Sequence, residues 1–233
     1  MSRKKAARKK AIVYIDGFNL YFGLKASVKF KGKRRLTRRS YWLDLQKLAE
    51  SVVRDADLVA VKYFTARIKG NYQKQLRQNA FLNAVQIHCT KLQIFEGRYL
   101  LRRIFCSQCR QYHGHFICPS CQNKNVYPEE KKSDVNVATQ MMQDAYENCF
   151  DIAYLISSDS DFVPPIKAIC SMNPPKIVAV AFPPGQERSK ELQDAASFSF
   201  FIPVNGIRQS WLPDTIEKFD GTSIVIPDEW KIS

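Results

Sequence analysis

The chain reads as an α/β protein in which a mostly parallel central sheet is covered by helices on both faces, with a small cysteine-bearing insertion. Three observations predict this. Short apolar runs of strand length alternate with longer segments of helical period. The runs Ala11–Ile15 and Ile152–Ile156 carry no charged residue, which marks strands buried on both faces. Four cysteines, Cys106, Cys109, Cys118 and Cys121, fall in one stretch that interrupts the alternation.

The first strand, Ala11–Ile15, ends at Asp16-Gly17, and Phe18–Ala26 follows as a helix. A basic segment reads as a loop. Asp44 is placed to cap a helix running through Arg54, whose apolar face is Leu45, Leu48, Ala49, Val52 and Val53. Leu58–Ala66 reads as a strand. Asn71–His88 reads as a helix with Leu76, Ala80, Phe81, Ala84 and Val85 inward. Lys91–Phe105 looks extended and leads into the cysteines. Beyond them come a helix over Val135–Asn148, the strand Ile152–Ile156 and a helix over Asp161–Cys170 with Pro164 and Pro165 in its early turns. A strand over Lys176–Phe182, a helix over Gln186–Ala196 and a strand over Phe198–Ile202 complete the alternation. Pro203, Pro213 and Pro227 punctuate a wrapping tail. The expected organisation is a basic tail over 1–10, one domain over 11–203 with the insertion at about 98–130, and the tail over 204–233.

In sheets of this kind, sites form at the carboxyl ends of the strands. Asp16 follows the first strand, and Asp159 and Asp161 follow Ile152–Ile156 within Ser157-Ser-Asp-Ser-Asp-Phe162. Asp134 opens the helix leading into that strand. It stands one turn before Ala138, which puts it on the expected buried face, unlike Asp144 and Glu147. Asn19 falls in the first turn after Asp16. Each residue also has an ordinary reading: a helix N-terminal acid for Asp134, a cap for Asp161, turn formers for Asp16 and Asp159, and a plain helix residue for Asn19. Together they are carboxylates gathered at one sheet edge, which repel each other unless a cation sits among them. Oxygen ligands without histidine select Mg²⁺ or Mn²⁺, ions that promote phosphoryl chemistry.

Ile12-Val-Tyr-Ile-Asp-Gly-Phe-Asn-Leu-Tyr21 resembles the opening motif of NYN domains, a branch of the PIN-like nucleases. Lys131-Lys-Ser-Asp-Val-Asn-Val-Ala138 and Leu155-Ile-Ser-Ser-Asp-Ser-Asp-Phe-Val-Pro164 are similar to the family's second and third motifs. The resemblance spans about residues 11–203. It implies a PIN-like three-layer fold with a five-stranded parallel sheet, and divalent-metal nuclease chemistry, usually on RNA. By motif position it assigns Asp16, Asp134 and Asp159 as the core metal ligands. Asp161 becomes a further acid and Asn19 the polar residue of the first motif. Ser158 stands where the family commonly has Gly. The chain is therefore expected to be a Mg²⁺- or Mn²⁺-dependent ribonuclease; the alternative is an inactive RNA-binding module of the same fold. A phosphatase with an aspartyl nucleophile ranks last, because Phe18 occupies the position of its second aspartate.

Cys106-x₂-Cys109, eight residues, then Cys118-x₂-Cys121 is the spacing of a closed structural Zn²⁺ site. An iron–sulfur cluster is the lesser metal reading. His113 and His115 lie between the pairs and are not expected to be ligands, since four thiolates suffice. Cys89, Cys149 and Cys170 read as buried thiols.

The net charge of +14 is uneven. Residues 1–10 hold six Lys/Arg and no acid, and residues 25–39 hold eight more, again with no acid. Clustered positive charge suits a polyanion, and Phe30, Tyr41 and Trp42 beside the second cluster suit stacking on unpaired bases. Lys33, Arg34, Arg35, Arg38 and Arg39 are the expected contacts to RNA, single-stranded or structured; a homodimer remains open. No apolar run approaches the roughly 18 to 20 residues of a membrane span, and the stretch after the basic start stops at Asp16, too short for a signal peptide. A cytoplasmic protein without a membrane partner is expected.

Overall fold

The structure is a computed structural model that describes residues 8–29, 36–69, 71–99, 104–106, 108–113, 118–122, 130–131 and 133–231. Six parallel strands form the central sheet in the spatial order β10-β9-β8-β1-β2-β3. These are β1 (Lys9–Asp16), β2 (Ala56–Thr65), β3 (Leu92–Glu96), β8 (Ile152–Ile156), β9 (Ile177–Phe182) and β10 (Phe198–Phe201). The sheet has one strand more than the resemblance implies, and β3, at its edge, comes from the segment expected only to be extended.

The sheet is buried on both faces, and β1 shows why its sequence is apolar throughout. Ala11, Val13 and Ile15 face one core, while Ile12 and Tyr14 face the other. The first core is closed by α1 (Gly17–Lys29), α2 (Leu45–Val52) and α3 (Tyr72–His88). The second is closed by α4 (Ser133–Tyr146), α5 (Val163–Cys170) and α6 (Lys190–Ala195). These are the three layers expected. Helix starts follow local chemistry. Asp44 accepts from the Lys47 amide at 2.8 Å and so caps α2, Asn71 does the same for α3 through Lys74 at 3.0 Å, and prolines occupy the first turn of α5. Leu76, expected inward, is 44% exposed. In α3 the buried residues are Leu82, Ala84 and Val85.

A polar cluster centred on Asp144 lies at the second core. Lys62 on β2 and Asp144 on α4 are buried, and the Lys62 ammonium donates to both Asp144 oxygens at 2.8 and 2.7 Å. The Tyr14 hydroxyl donates to Asp144 Oδ2 at 2.5 Å, and the Gln140 amide to Oδ1 at 3.0 Å. Burial and the adjacent carboxylate push the Tyr14 hydroxyl far above its ordinary range, so it stays a donor. This corrects the expected orientation of α4. Its buried stripe is Ser133, Val137, Met141, Asp144 and Ala145, one residue ahead of the one counted from Ala138.

Between β3 and α4 the chain leaves the sheet. β4 (Arg98–Tyr99) pairs antiparallel with β7 (Glu130–Lys131) as a stem, and β5 (Ile104–Phe105) pairs with β6 (Tyr112–His113) inside the excursion. After β10 come α7 (Val204–Gln209), a hairpin of β11 (Thr215–Glu217) with β12 (Ser223–Val225), and a 3₁₀ turn at Asp228–Trp230. The tail wraps the first core, with Ile207, Leu212, Ile216, Ile224 and Ile226 inserted into it. Among the described residues no helix is long and apolar enough to cross a membrane.

Candidate active site

β1 and β8 are neighbours at the middle of the sheet, and the chain proceeds outward from them in opposite directions, through β2 and β3 on one side and β9 and β10 on the other. The crevice beyond their carboxyl ends is the switch point where α/β sheets bind ligands. Asp16 is the last residue of β1, and Ser157, Ser158 and Asp159 follow β8. Asp134 stands in the first turn of α4.

Asp16 is 4% exposed. Its Oδ1 accepts from the Asn19 amide at 3.0 Å and its Oδ2 from the Ser157 hydroxyl at 3.1 Å. Gly17 lets α1 begin this close to β2: a Cβ there would come within 2.6 Å of the Phe64 carbonyl and 2.7 Å of the Tyr63 ring. Asn19 ties the two strand ends together. Its amide serves Asp16, and its Oδ1 accepts from the Ser158 amide at 3.0 Å. Ser157 Oγ, which donates to Asp16, also accepts from the Asp159 amide at 3.1 Å. Asp159 Oδ1 in turn accepts from the Asp161 amide at 3.0 Å, capping the 3₁₀ turn Ser160–Phe162. Ser157 is the residue that sequence reasoning missed; a small hydroxyl inside Ser-Ser-Asp-Ser-Asp was the available signal.

The acids sense one another. Burial lifts the Asp16 carboxyl from 3.8 to about 6; the Asn19 amide and Ser157 hydroxyl oppose this, while the charges of Asp134 and Asp159 reinforce it. Asp134 is exposed as a residue, at the mouth of the crevice rather than inside it. Partial burial of its carboxyl, then the charges of Asp159 and Asp161, hold it above its ordinary range. No lysine or arginine bonds any of these four acids among the described residues. The buried Ser158 hydroxyl also finds no partner there.

The donor set is hard oxygen with uncompensated negative charge, which fits Mg²⁺ or Mn²⁺. The acids are neighbours but do not close on one point: among the described residues no three of them bring ligand atoms together as a tight metal cluster would. The groups of three or more metal-binding side chains whose ligand atoms lie within 4.8 Å of one another are, among the described residues, the four cysteines and Asp144–Glu147–Cys149. Asp144 in the latter is already taken by Lys62. Acids spaced in this way suit a cation that keeps several waters and takes one or two carboxylates directly.

The four cysteines converge. Cys106 and Cys121 sulfurs are 3.5 Å apart and Cys109 and Cys118 sulfurs 3.3 Å apart. A tetrahedral zinc–thiolate centre has edges of roughly 3.8 Å, from Zn–S bonds of about 2.3 Å, so the cluster has the size of such a centre. The two pairs are built alike. The Arg110 amide bonds the Cys106 carbonyl and the Gln122 amide the Cys118 carbonyl, both at 2.8 Å. Arg110 and Gln122 both adopt left-handed backbone, with φ of 54° and 59°. Within the cluster the Cys109 backbone amide pulls the Cys106 thiol down, while burial pushes the Cys109 thiol up to about 12. The cluster is consistent with a small zinc knuckle inserted before α4.

Of the expected RNA contacts, Lys33, Arg34 and Arg35 lie outside the described residues, as do His115 and residues 1–7. Arg38 is exposed. Arg39 is turned inward: it pairs with Asp214, donates to the Leu212 carbonyl at 3.0 Å and stacks over Trp211 at 5.6 Å.

The chain is 26% identical over 201 residues to 6-hydroxy-3-succinoylpyridine 3-monooxygenase HspA of Pseudomonas putida, an alignment covering 76% of this chain and 61% of that protein. The chain thus spans less than two thirds of that relative's length. In fold it is similar to a protein of unknown function from Vibrio parahaemolyticus, at a TM-score of 0.50 and 17% identity, over 85% of this chain and 96% of that one. The NYN domain model matches residues 10–205, a span that takes in the six strands of the sheet but for the first residue of β1, and every acid of the crevice. The chain therefore belongs to the NYN domain family, and its fold is that of the PIN-like nucleases.

Proposed function

We propose that the protein hydrolyses RNA phosphodiester bonds with the help of Mg²⁺ or Mn²⁺. The observation that carries this reading is the ring of Asp16, Asp134, Asp159 and Asp161 at the sheet's switch point, mutually repelling and bonded by no basic side chain among the described residues. Asp16, Asp134 and Asp159 would hold the ion, which supplies positive charge to a phosphoryl group and acidity to water. The protein's part is positioning. Ser157 and Asn19 fix the Asp16 carboxylate through its two oxygens, and Asn19 also holds the backbone of Ser158. Asp161 is exposed on the turn capped by Asp159, where its carboxylate can accept a proton from attacking water. The unpartnered Ser158 hydroxyl is a donor for a phosphate oxygen. Arg38 and the basic stretch around it attract the backbone of the substrate.

The test is a cleavage assay on labelled single-stranded and structured RNAs, with and without Mn²⁺, using wild-type protein and Asp159→Asn. Cleavage that needs the metal and disappears in the variant is expected. RNA binding with no cleavage under any metal condition would reduce the protein to a binding module of the same fold. Conversion of 6-hydroxy-3-succinoylpyridine with RNA left intact would overturn the reading in favour of the relative's chemistry.

A further inference from the structure

Beside the acid ring lies a cavity of about 830 Å³ between α1 and α3, within the range of about 300–1,000 Å³ typical of small-ligand sites. We propose that it is a nucleotide subsite, holding one unpaired nucleotide of the RNA substrate with its base against aromatic walls and its phosphate at a basic rim. The proposal rests on the ribonuclease reading and names the part of the substrate that the protein grips.

Position is the first argument. Gly17 and Phe18 line the cavity, and they are the two residues directly after Asp16. A nucleotide seated there has its neighbouring phosphodiester at the acid ring. Lining chemistry is the second. Phe18, Tyr21, Tyr41, Phe81 and Trp230 supply ring surface. Lys25, Lys69, Lys74 and Arg77 supply positive charge, and no acid is among the described lining residues. Aromatic faces beside cations are the combination that binds unpaired nucleotides irrespective of sequence, since every base has a stacking face. Lys25 already sits 5.9 Å from the centres of the Tyr21 and Phe22 rings, which places its ammonium at the edge of the aromatic surface.

Preorganisation is the third. Trp230, on the 3₁₀ turn of the tail, packs edge-on against Tyr41 at 5.8 Å, and Tyr41 against Tyr21 at 5.4 Å. The tail is latched by Glu229, which accepts from Arg77 at 2.6 Å. A wall brought from far along the chain is thus fixed before any ligand arrives. Arg77 has further N–H donors beyond the one it gives Glu229.

The test is calorimetric titration of the full chain in metal-free buffer with uridine 5′-monophosphate, adenosine 5′-monophosphate, ribose 5-phosphate and nicotinate. Both mononucleotides should bind, at least tenfold more tightly than ribose 5-phosphate or nicotinate, and should compete with a short RNA on Asp159→Asn protein. Tyr41→Ala should weaken them at least fivefold. Because Tyr41 also packs against the tail, Lys74→Glu, on an exposed side chain, gives a second variant with the fold undisturbed, and it should weaken them similarly. Mononucleotides no tighter than ribose 5-phosphate would make the cavity a phosphate site only. Nicotinate equal to or tighter than nucleotides would make it a site for small aromatic acids. Either result, or no mononucleotide binding, overturns the subsite. Mononucleotides that bind and displace RNA while no cleavage occurs would instead sink the nuclease chemistry and leave the subsite standing.

Discussion

Replacing Asp16 by Asn should make the metal-free protein more stable at neutral pH, and less so or not at all in acid. Asp16 is buried with its carboxyl raised from 3.8 to about 6. Between these values the folded state holds a proton that the unfolded chain has released. Stability from this group therefore falls as pH rises from about 4 to about 6, and the full penalty persists above that. A shift of roughly 2 units at about 1.4 kcal/mol per unit makes the penalty about 3 kcal/mol. Asparagine removes the charge but offers one acceptor oxygen where Asp16 offers two, to the Asn19 amide and the Ser157 hydroxyl. One lost hydrogen bond takes back about 1 kcal/mol. The net gain at pH 8 is about 2 kcal/mol, roughly 4–8 °C in Tm for a chain of this size; below pH 4 it becomes a loss of about 1 kcal/mol. Urea unfolding followed by circular dichroism at pH 4 and pH 8, in metal-free buffer without chelator so that the cysteine site is undisturbed, reads both. Mn²⁺ should then stabilise wild type by about 2.7 kcal/mol at a hundred times its Kd and leave the variant nearly unmoved. A variant less stable than wild type at pH 8 would refute the reasoning, because Asp16 would then be a structural acceptor rather than a charge awaiting a cation.

The cysteine cluster should carry one zinc per chain by elemental analysis, and Cys106→Ser with Cys121→Ser should abolish it; full zinc content in the double variant would disprove the assignment. RNA affinity should fall steeply with salt, and changing Lys33, Arg34, Arg35 and Arg38 to Gln should flatten the log–log slope by roughly one unit or more, at about 0.7 per phosphate contact. Arg39→Gln is expected instead to lower stability, measured by urea unfolding, because it breaks the Asp214 pair and the Trp211 stack. Lys62→Met should destabilise by about 3–5 kcal/mol by stranding the buried Asp144 carboxylate; the double change Lys62→Met with Asp144→Leu should recover most of that, and no recovery would show that the two do not act as a pair.

Much of this was legible because it is local. β8 has the bounds expected, since an unbroken apolar run between turn residues leaves little choice of register. Asp44 caps α2 through contacts three residues away. The acids at the carboxyl ends of β1 and β8 follow from the sheet rule once the alternation is seen. What was not legible depends on partners distant in sequence. Counting the face of α4 from Ala138 misses the true stripe, because one a residue earlier satisfies the same 3.6 period. Lys62, arriving from β2, neutralises the buried Asp144, with Tyr14 of β1 as a further donor. Arg39 reads as a free cation until Asp214 and Trp211 fold back over it. The aromatic cavity is assembled from α1, the Arg38–Tyr41 turn, α3 and Trp230 of the tail, and no window of sequence contains them together.

The stem formed by β4 and β7 decides how the cysteine insertion and the acid ring can change over evolutionary time. The excursion leaves at Tyr99 and returns at Glu130, two residues that face each other across the stem. Seen from the sheet, the insertion is a long hairpin loop. Closing such a loop costs only about 0.6 kcal/mol more for each doubling of its length. Its contents can therefore grow, shrink or be exchanged for another module while the two stem pairs remain. Asp134 lies only three residues beyond Lys131, so it registers the stem and little of what hangs from it. A lineage of such chains can vary the inserted module while the acids stay where they are.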